Sequence, residues 1–292
     1  MPLENTGQIL DAARKAGYCV GAFNVFDHLS LESVINAAQD FLAPVIIQTS
    51  SGTVRRFGAK QLVAMTRTLS DDLSIPVGLH LDHGTEMELI QECIDAGYTS
   101  VMIDASHFPF AENVLRTRMV VEKAHEKGVA VEGEIGILAG VEDDLVVQQD
   151  KAIYTTPEEA IHFQAESGVD FLAVAIGTAH GFYKVEPRLD IETLRVLHES
   201  VEFPLVIHGG TGLSMSILSA LVSAGASKLN ISTQIKKVFI DSLGSYIKTH
   251  PGEYDPIKML KYTRGELMNT VSDYLEVLGS KGRINEESES LS

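Results

Sequence analysis

The sequence predicts an α/β protein, a single-domain (β/α)8 TIM barrel with additional C-terminal helices. Three observations carry that reading. Eight short apolar, often β-branched runs alternate with helix-length amphipathic segments. The alternation proceeds through 292 residues without a linker or low-complexity break. The C-terminal ends of the runs are systematically polar: Asn24, Ser50-Ser51, Asp82-His83, Asp104, Glu134, Thr178 to His180, His208 and Asn230. In a closed barrel those ends converge on one mouth, where such barrels place their chemistry. A doubly wound open sheet, the runner-up, would spread them along an edge.

In chain order the predicted strands are Val20–Phe23, Pro44–Gln48, Pro76–Leu81, Ser100–Ile103, Ala130–Glu134, Phe171–Ile176, Pro204–Ile207 and Lys228–Ile231. Helical patterns fall between them, among them Leu29–Phe41, Ala111–His125, Pro157–Ser167 and Ser214–Ala224. Thr156 is placed as an N-cap with Pro157 in the first helical position. Glycines 17, 97, 128, 168 and 225 stand where helices stop and short loops lead into strands. Residues 1–280 are expected to form the barrel and its C-terminal helical extension. Residues 281–292 read as a disordered acidic tail.

Composition narrows the function. The net charge of −17 argues against nucleic acid and against adsorption to anionic membranes. It leaves room for a phosphorylated small molecule, because backbone N–H groups bind phosphate inside acidic proteins. No stretch approaches eighteen apolar residues, and the N-terminus lacks the basic and apolar regions of a signal peptide, so a cytoplasmic protein is expected. Cys19 and Cys93 match neither a disulfide framework nor a metal spacing and read as core residues.

Three of the 10 histidines stand apart. His83 in GLHLDHGT, His180 in IGTAHGF and His208 in VIHGGTG each follow an apolar strand, the third, sixth and seventh, and each precedes a glycine. Three imidazoles with an open fourth position form the arrangement of catalytic zinc, which then acts as a Lewis acid. Asp82 is a candidate general acid/base beside that metal, the alternative being a carboxylate that orients a histidine. Asp104 and Glu134 suit either histidine partners or a secondary metal position. Gly209-Gly210-Thr211-Gly212 and Asn230-Ile231-Ser232-Thr233 follow the last two strands, where barrels often bind phosphate on backbone N–H groups.

Together these residues resemble the class II fructose-bisphosphate and tagatose-bisphosphate aldolase family. The matching stretches are AFNV, LHLDHG, SVMIDAS, VEGEIG, GVEDD, IGTAHGFY, VIHGGTG and KLNIST, in family order from Gly21 to Thr233. The resemblance implies that His83, His180 and His208 hold zinc; cobalt or manganese in its place, and an assisting monovalent cation, stay open as alternatives. It implies that Asp82 moves the C4 hydroxyl proton and that Glu142 exchanges the C3 proton of dihydroxyacetone phosphate. It places that triose's phosphate on Gly181, Gly209 to Thr211 and Asn230 to Thr233, with Asn230 also at the reacting hydroxyl. A homodimer or homotetramer is the implied assembly. The Schiff-base route to the same bond cleavage needs a lysine at the mouth, and none is expected: Lys228 reads as beginning its strand and Lys184 lies past the His180 turn.

Two departures bear on substrate. Many relatives read Asp-Pro-Arg where this chain reads Asp255-Pro256-Ile257, and Ser232 replaces an aspartate common in the fructose branch. Arg55, Arg56 and Arg264 are candidates to compensate at the distal phosphate, with Ser50 and Ser51 beside the mouth. The expected reaction is therefore cleavage of a ketose 1,6-bisphosphate, most simply fructose 1,6-bisphosphate, to dihydroxyacetone phosphate and glyceraldehyde 3-phosphate. Tagatose 1,6-bisphosphate or another keto-sugar phosphate is the alternative substrate. A non-catalytic metal- and phosphate-binding barrel is the alternative of another class.

Overall fold

Eight parallel strands close on themselves in the order β1-β11-β10-β8-β5-β4-β3-β2. They are β1 (Val20–Asn24), β2 (Val45–Ser50), β3 (Val77–Gly84), β4 (Ser100–Ile103), β5 (Ala130–Ile135), β8 (Phe171–Val174), β10 (Leu205–Ile207) and β11 (Ala226–Ile231). The structure, a computed structural model, describes residues 3–136, 154–183 and 187–284, with the backbone alone of 139–142 and 145–147. Residues 285–292 of the expected tail lie outside it, as does Lys184.

The helices follow the amphipathic segments: α1 (Thr6–Ala16), α2 (His28–Asp40), α3 (Ser51–Phe57), α4 (Ala59–Ser70), α5 (Met87–Ala96), α6 (Phe110–His125), α7 (Pro157–Ser167), α8 (Ile191–Ser200), α9 (Met215–Ser223), α10 (Thr233–Thr249) and α11 (Pro256–Val277). Thr156 caps α7 in a full capping box with Glu159. Gly17, Gly97 and Gly168 end their helices in the left-handed region, φ 71°, 102° and 77°, where a Cβ would be strained. The extension packs back on the barrel, α11 lying against α2 and α10.

The sequence pattern missed one element. A three-stranded sheet stands apart from the barrel, in the order β7-β6-β9. It comprises β6 (Ala139–Glu142), β7 (Leu145–Val147) and the two-residue β9 (Ala179–His180). Several strand boundaries also shift, among them the following two. Strand β8 stops at Val174 rather than Ile176, and β11 starts at Ala226, so Lys228 is its third residue rather than its first.

Alternate residues of each strand face the barrel interior, and the interior changes character with height. At the bottom, Val20, Ala22, Ile46, Ala130, Phe171 and Val206 form an apolar cluster with Ile9, Leu10 and Ala13 of α1. One layer up, on β2, β3, β4, β5 and β11, stand Gln48, His80, Ser100, Glu132 and Lys228, all 0% exposed. Above them come Asn24, Asp82, Asp104, Glu134 and Asn230. The barrel thus grades from oil to ions to a polar mouth. Cys19 and Cys93 lie in the apolar shell outside it.

Candidate metal and substrate centre

On an ideal strand Asp82 and His83 would face opposite sides. Both reach the mouth because the backbone breaks between them. His83 adopts φ 46°, and the β3–β4 register shifts between Leu81 and Gly84. A non-glycine residue in the left-handed region costs on the order of 1–3 kcal/mol and persists only where its surroundings over-determine it. Here the ring is held: His83 Nδ1 donates to Asp104 Oδ2 at 2.9 Å. Asp104 in turn accepts from the Ser106 hydroxyl and N–H. Burial opposes ionisation of Asp104, yet the His83 and Ser106 bonds hold its carboxyl well below the usual carboxylate range.

The expected metal ligands converge. Ligand atoms of His83, His180 and His208 all lie within 4.8 Å of one another. The His83 ring centroid stands 4.7 Å from that of His208 and 5.1 Å from that of His180. His208 is fully buried, and its Nε2 donates to Glu132 Oε1 at 2.8 Å. A carboxylate can only accept, so the proton sits on Nε2 and the lone pair on Nδ1. That buried Nδ1 has no hydrogen-bond partner among the described residues. Burying an unsatisfied acceptor is costly, and a metal ion on Nδ1 removes the cost. The donor set therefore fits zinc. His83 with Asp104 and Glu134 forms a second possible ligand group, and Glu134 Oε2 stands 3.8 Å from His83 Nδ1 and 3.7 Å from His208 Nδ1.

Asp82 is clamped by amides. Its Oδ2 accepts from Asn24 Nδ2 at 2.8 Å and its Oδ1 from Asn230 Nδ2 at 3.1 Å. Gln48 Nε2 donates to Asn24 Oδ1 at 3.0 Å, which fixes Asn24 in turn. Asp82 Oδ1 stands 4.0 Å from His83 Nε2, too far for a hydrogen bond. The carboxylate that orients His83 is Asp104, which leaves Asp82 available for proton transfer.

The two turns after β10 and β11 come together. Gly209 takes φ 73°, and a Cβ there would lie 2.4 Å from the carbonyl oxygen of Ala179. Gly210 N–H donates to Asn230 O at 3.0 Å, so that donor is already engaged. Thr211 Oγ1 accepts from Gln234 N at 3.3 Å and caps α10, whose own N-cap, Ser232, makes no side-chain cap bond. Ile231 is buried in the core and offers the mouth only backbone; Thr233 opens α10. Gly181 sits at φ 89° in the turn after His180. Ser50 Oγ accepts from Thr53 N to cap α3, while Ser51 Oγ is buried with no hydrogen-bond partner among the described residues. Glu142 ends β6; its side chain lies outside the described residues.

The distal candidates are differently engaged. Arg55 pairs with Glu86, Arg264 Nε stands 3.5 Å from Glu32, and Arg56 lies over Phe57. Ile257 is 68% exposed in the first turn of α11.

Beneath the mouth lies a network that sequence reading missed. Lys228 Nζ donates to Glu132 Oε2 at 2.8 Å, and His80 Nε2 stands 3.4 Å from the same oxygen. His80 Nδ1 is 2.8 Å from Ser100 Oγ, which donates to Thr6 Oγ1 on α1. Glu132 and Lys228 come from strands far apart in barrel order, so both must point inward. Burial opposes ionisation of Glu132, but the Lys228 cation and the His208 bond hold it well below the usual range. Burial, with Lys228 adding to it, pushes His80 well below the usual histidine value. The signal was available: HLD, EGE and KLN each place a polar residue two positions before a mouth residue.

The fold and the mouth together define a barrel enzyme of the metal-assisted lyase class. The chain belongs to the class II fructose-bisphosphate aldolase family, whose pattern, described as fructose-bisphosphate aldolase class-II, matches residues 4–283. It is accordingly an aldolase of the metal-dependent type. It is similar to the YdjI aldolase from Escherichia coli K12, at 30% identity over 97% of this chain and 99% of that one, with a TM-score of 0.85. A Coccidioides immitis protein assigned as a fructose-1,6-bisphosphate aldolase matches at 26% identity over 98% and 99% of the two chains, with a TM-score of 0.88. Fructose-bisphosphate aldolase from Campylobacter jejuni, at 24% identity over 94% of each chain and a TM-score of 0.81, shares the fold. No helix among the described residues is long and apolar enough to cross a membrane.

Proposed function

We propose that this aldolase is zinc-dependent and reversibly cleaves a ketose 1,6-bisphosphate, most simply fructose 1,6-bisphosphate, to dihydroxyacetone phosphate and glyceraldehyde 3-phosphate. The observation that carries the reading is the convergence of His83, His180 and His208 beside an amide-clamped Asp82, with the buried His208 Nδ1 lacking a hydrogen-bond partner among the described residues. Zinc held by His83, His180 and His208 would supply a Lewis acid beside Asp82 that stabilises the charge left by bond cleavage. Asp82 takes the proton of the C4 hydroxyl as the C3–C4 bond breaks. The bonding electron pair stays with the triose fragment, and C4 leaves as an aldehyde carbon. Glu142, on the strand paired with β9, returns a proton to C3. Asn230 holds Asp82 and faces the reacting hydroxyl. Gly181, Gly209 to Thr211 and Asn230 to Thr233 seat the triose phosphate, Ile231 through its backbone alone, with Ser50 and Ser51 at the rim. A cytoplasmic homodimer or homotetramer working in carbohydrate metabolism completes the proposal.

Exhaustive chelation is expected to lower cleavage by more than about 100-fold, within the range for losing an electrophilic stabiliser. Stoichiometric zinc restores it, and cobalt or manganese restores it in part. Cleavage that survives verified removal of all metal would sink the proposal.

A second reading keeps the reaction and changes the ketose. It rests on Ile257, exposed where relatives carry arginine, and on Arg55 and Arg264 being paired with acidic groups. kcat/KM is then expected to favour tagatose 1,6-bisphosphate or a ketose lacking the distal phosphate over fructose 1,6-bisphosphate. A tenfold preference for fructose 1,6-bisphosphate retires it.

A further inference from the structure

One phenol oxygen ties the His180 turn to the His208 turn. Tyr183 Oη accepts from Ala179 N at 2.9 Å and donates to Gly209 O at 2.8 Å. Ala179 immediately precedes His180, and Gly209 immediately follows His208. Burial pushes the phenol up to about 12, so it keeps its proton and donates at neutral pH.

The two turns are also pressed together, as the 2.4 Å approach of a Cβ at Gly209 to Ala179 O shows. The peptide plane joining Gly209 to Gly210 is rigid and pinned from both sides. Its carbonyl accepts from Tyr183, and its N–H donates to Asn230 O. Asn230 reaches Asp82 through its side chain. On the other side, Ala179 and His180 pair with Ala139 and Gly140 of β6, the strand that ends in Glu142. A continuous chain of hydrogen bonds therefore runs from Asp82, through the glycine turn and Tyr183, to the His180 strand and β6.

We propose that Tyr183 is a positioning residue that couples the turn at Gly209–Thr211 to the metal-ligand turn at His180, so that an anion seated on the first tightens the second. An anion on that turn adds a further restraint to the already pinned Gly209–Gly210 peptide, and the Gly209 carbonyl passes it to Tyr183. A fixed acceptor holds the phenol, and the phenol holds the backbone from which His180 projects. The proposal rests on the reading of these turns as the triose-phosphate seat. Without the hydroxyl, each turn relaxes on its own.

The test measures zinc affinity of the full-length apoprotein by chelator competition, with and without saturating inorganic phosphate. In the wild type, phosphate is expected to tighten zinc by about fivefold or more, at the low end of coupling between sites. Tyr183→Phe deletes one oxygen and keeps the ring. It is expected to bind phosphate and zinc separately, with the linkage reduced to less than about twofold on the same scale. Tyr274→Phe is the control, because its hydroxyl bonds Gly212 in the same glycine turn without reaching Ala179; it should keep the linkage. Thermal melts of both apo variants establish that they fold. Equal linkage in Tyr183→Phe and wild type overturns the proposal, and so does its absence from the wild type. Loss in Tyr274→Phe as complete as in Tyr183→Phe also overturns it. Chelator-resistant cleavage, in contrast, would sink the zinc-aldolase reading and leave this linkage measurement standing.

Discussion

Asp82→Ala lowers kcat for bisphosphate cleavage by about 10²–10⁴, the usual contribution of a positioned general acid/base, and leaves zinc bound. The geometry separates the two effects. The ring of His83 is oriented by Asp104 at 2.9 Å, whereas Asp82 stands 4.0 Å away. Removing Asp82 therefore withdraws no hydrogen bond from a metal ligand. It does strand two donors, Asn24 Nδ2 and Asn230 Nδ2, which lose their acceptor. A modest fall in melting temperature is expected from that, and it does not mimic loss of zinc. Asp82→Asn keeps the shape and one acceptor oxygen but cannot take a proton, so it should lose turnover almost as fully as the alanine. Turnover of both variants is read together with zinc affinity by chelator competition. A non-catalytic metal- and phosphate-binding barrel makes the opposite forecast: no wild-type turnover, hence nothing for either substitution to remove. Unchanged kcat in Asp82→Ala refutes the proton-transfer role outright.

The barrel and its mouth were legible because they are written in short-range pattern. A parallel strand buried on both faces reads as a continuous apolar run, and its last residue reads as polar when it reaches the mouth. Thr156 and Gly168 bound α7 by local chemistry alone. The convergence of His83, His180 and His208 followed once the strands closed. What stayed hidden depends on register and on backbone dihedrals. Asp82 and His83 were expected to share the mouth, but the left-handed turn at His83 that lets them is a conformation its residue type does not advertise. The sheet β7-β6-β9 escaped because two of its strands are very short and β9 is two residues long. Lys228 was misplaced by a two-residue error in where β11 starts, which moved a buried interior cation to a strand's entrance. Tyr183 closes the matching stretch IGTAHGFY, but its role gave no signal, because its partners are backbone atoms of two separated turns.

Lys228→Met is expected to destabilise the protein by about 3–5 kcal/mol, the usual result of leaving one buried charge without its partner. In a domain of this size that corresponds to roughly 10 °C in melting temperature. Lys228 and Glu132 are both 0% exposed, so water cannot replace the lost cation. The same substitution should weaken zinc by about 10–100-fold, the range for losing a group that supports a metal ligand. Glu132 holds His208 with one oxygen and Lys228 with the other, and an unpinned Glu132 ceases to fix which His208 nitrogen faces the metal. A double variant separates the two effects. Glu132→Gln with Lys228→Met removes both charges, yet the glutamine oxygen still accepts from His208 Nε2. Stability should then recover most of the loss, since replacing a buried pair by neutral groups is often neutral, and zinc affinity should recover with it. Recovery of stability without recovery of zinc would mean that the negative charge on Glu132, rather than its geometry, tunes His208. A Lys228→Met protein that melts with the wild type would mean that His80, 3.4 Å from the same carboxylate oxygen, takes up a proton and replaces the lysine.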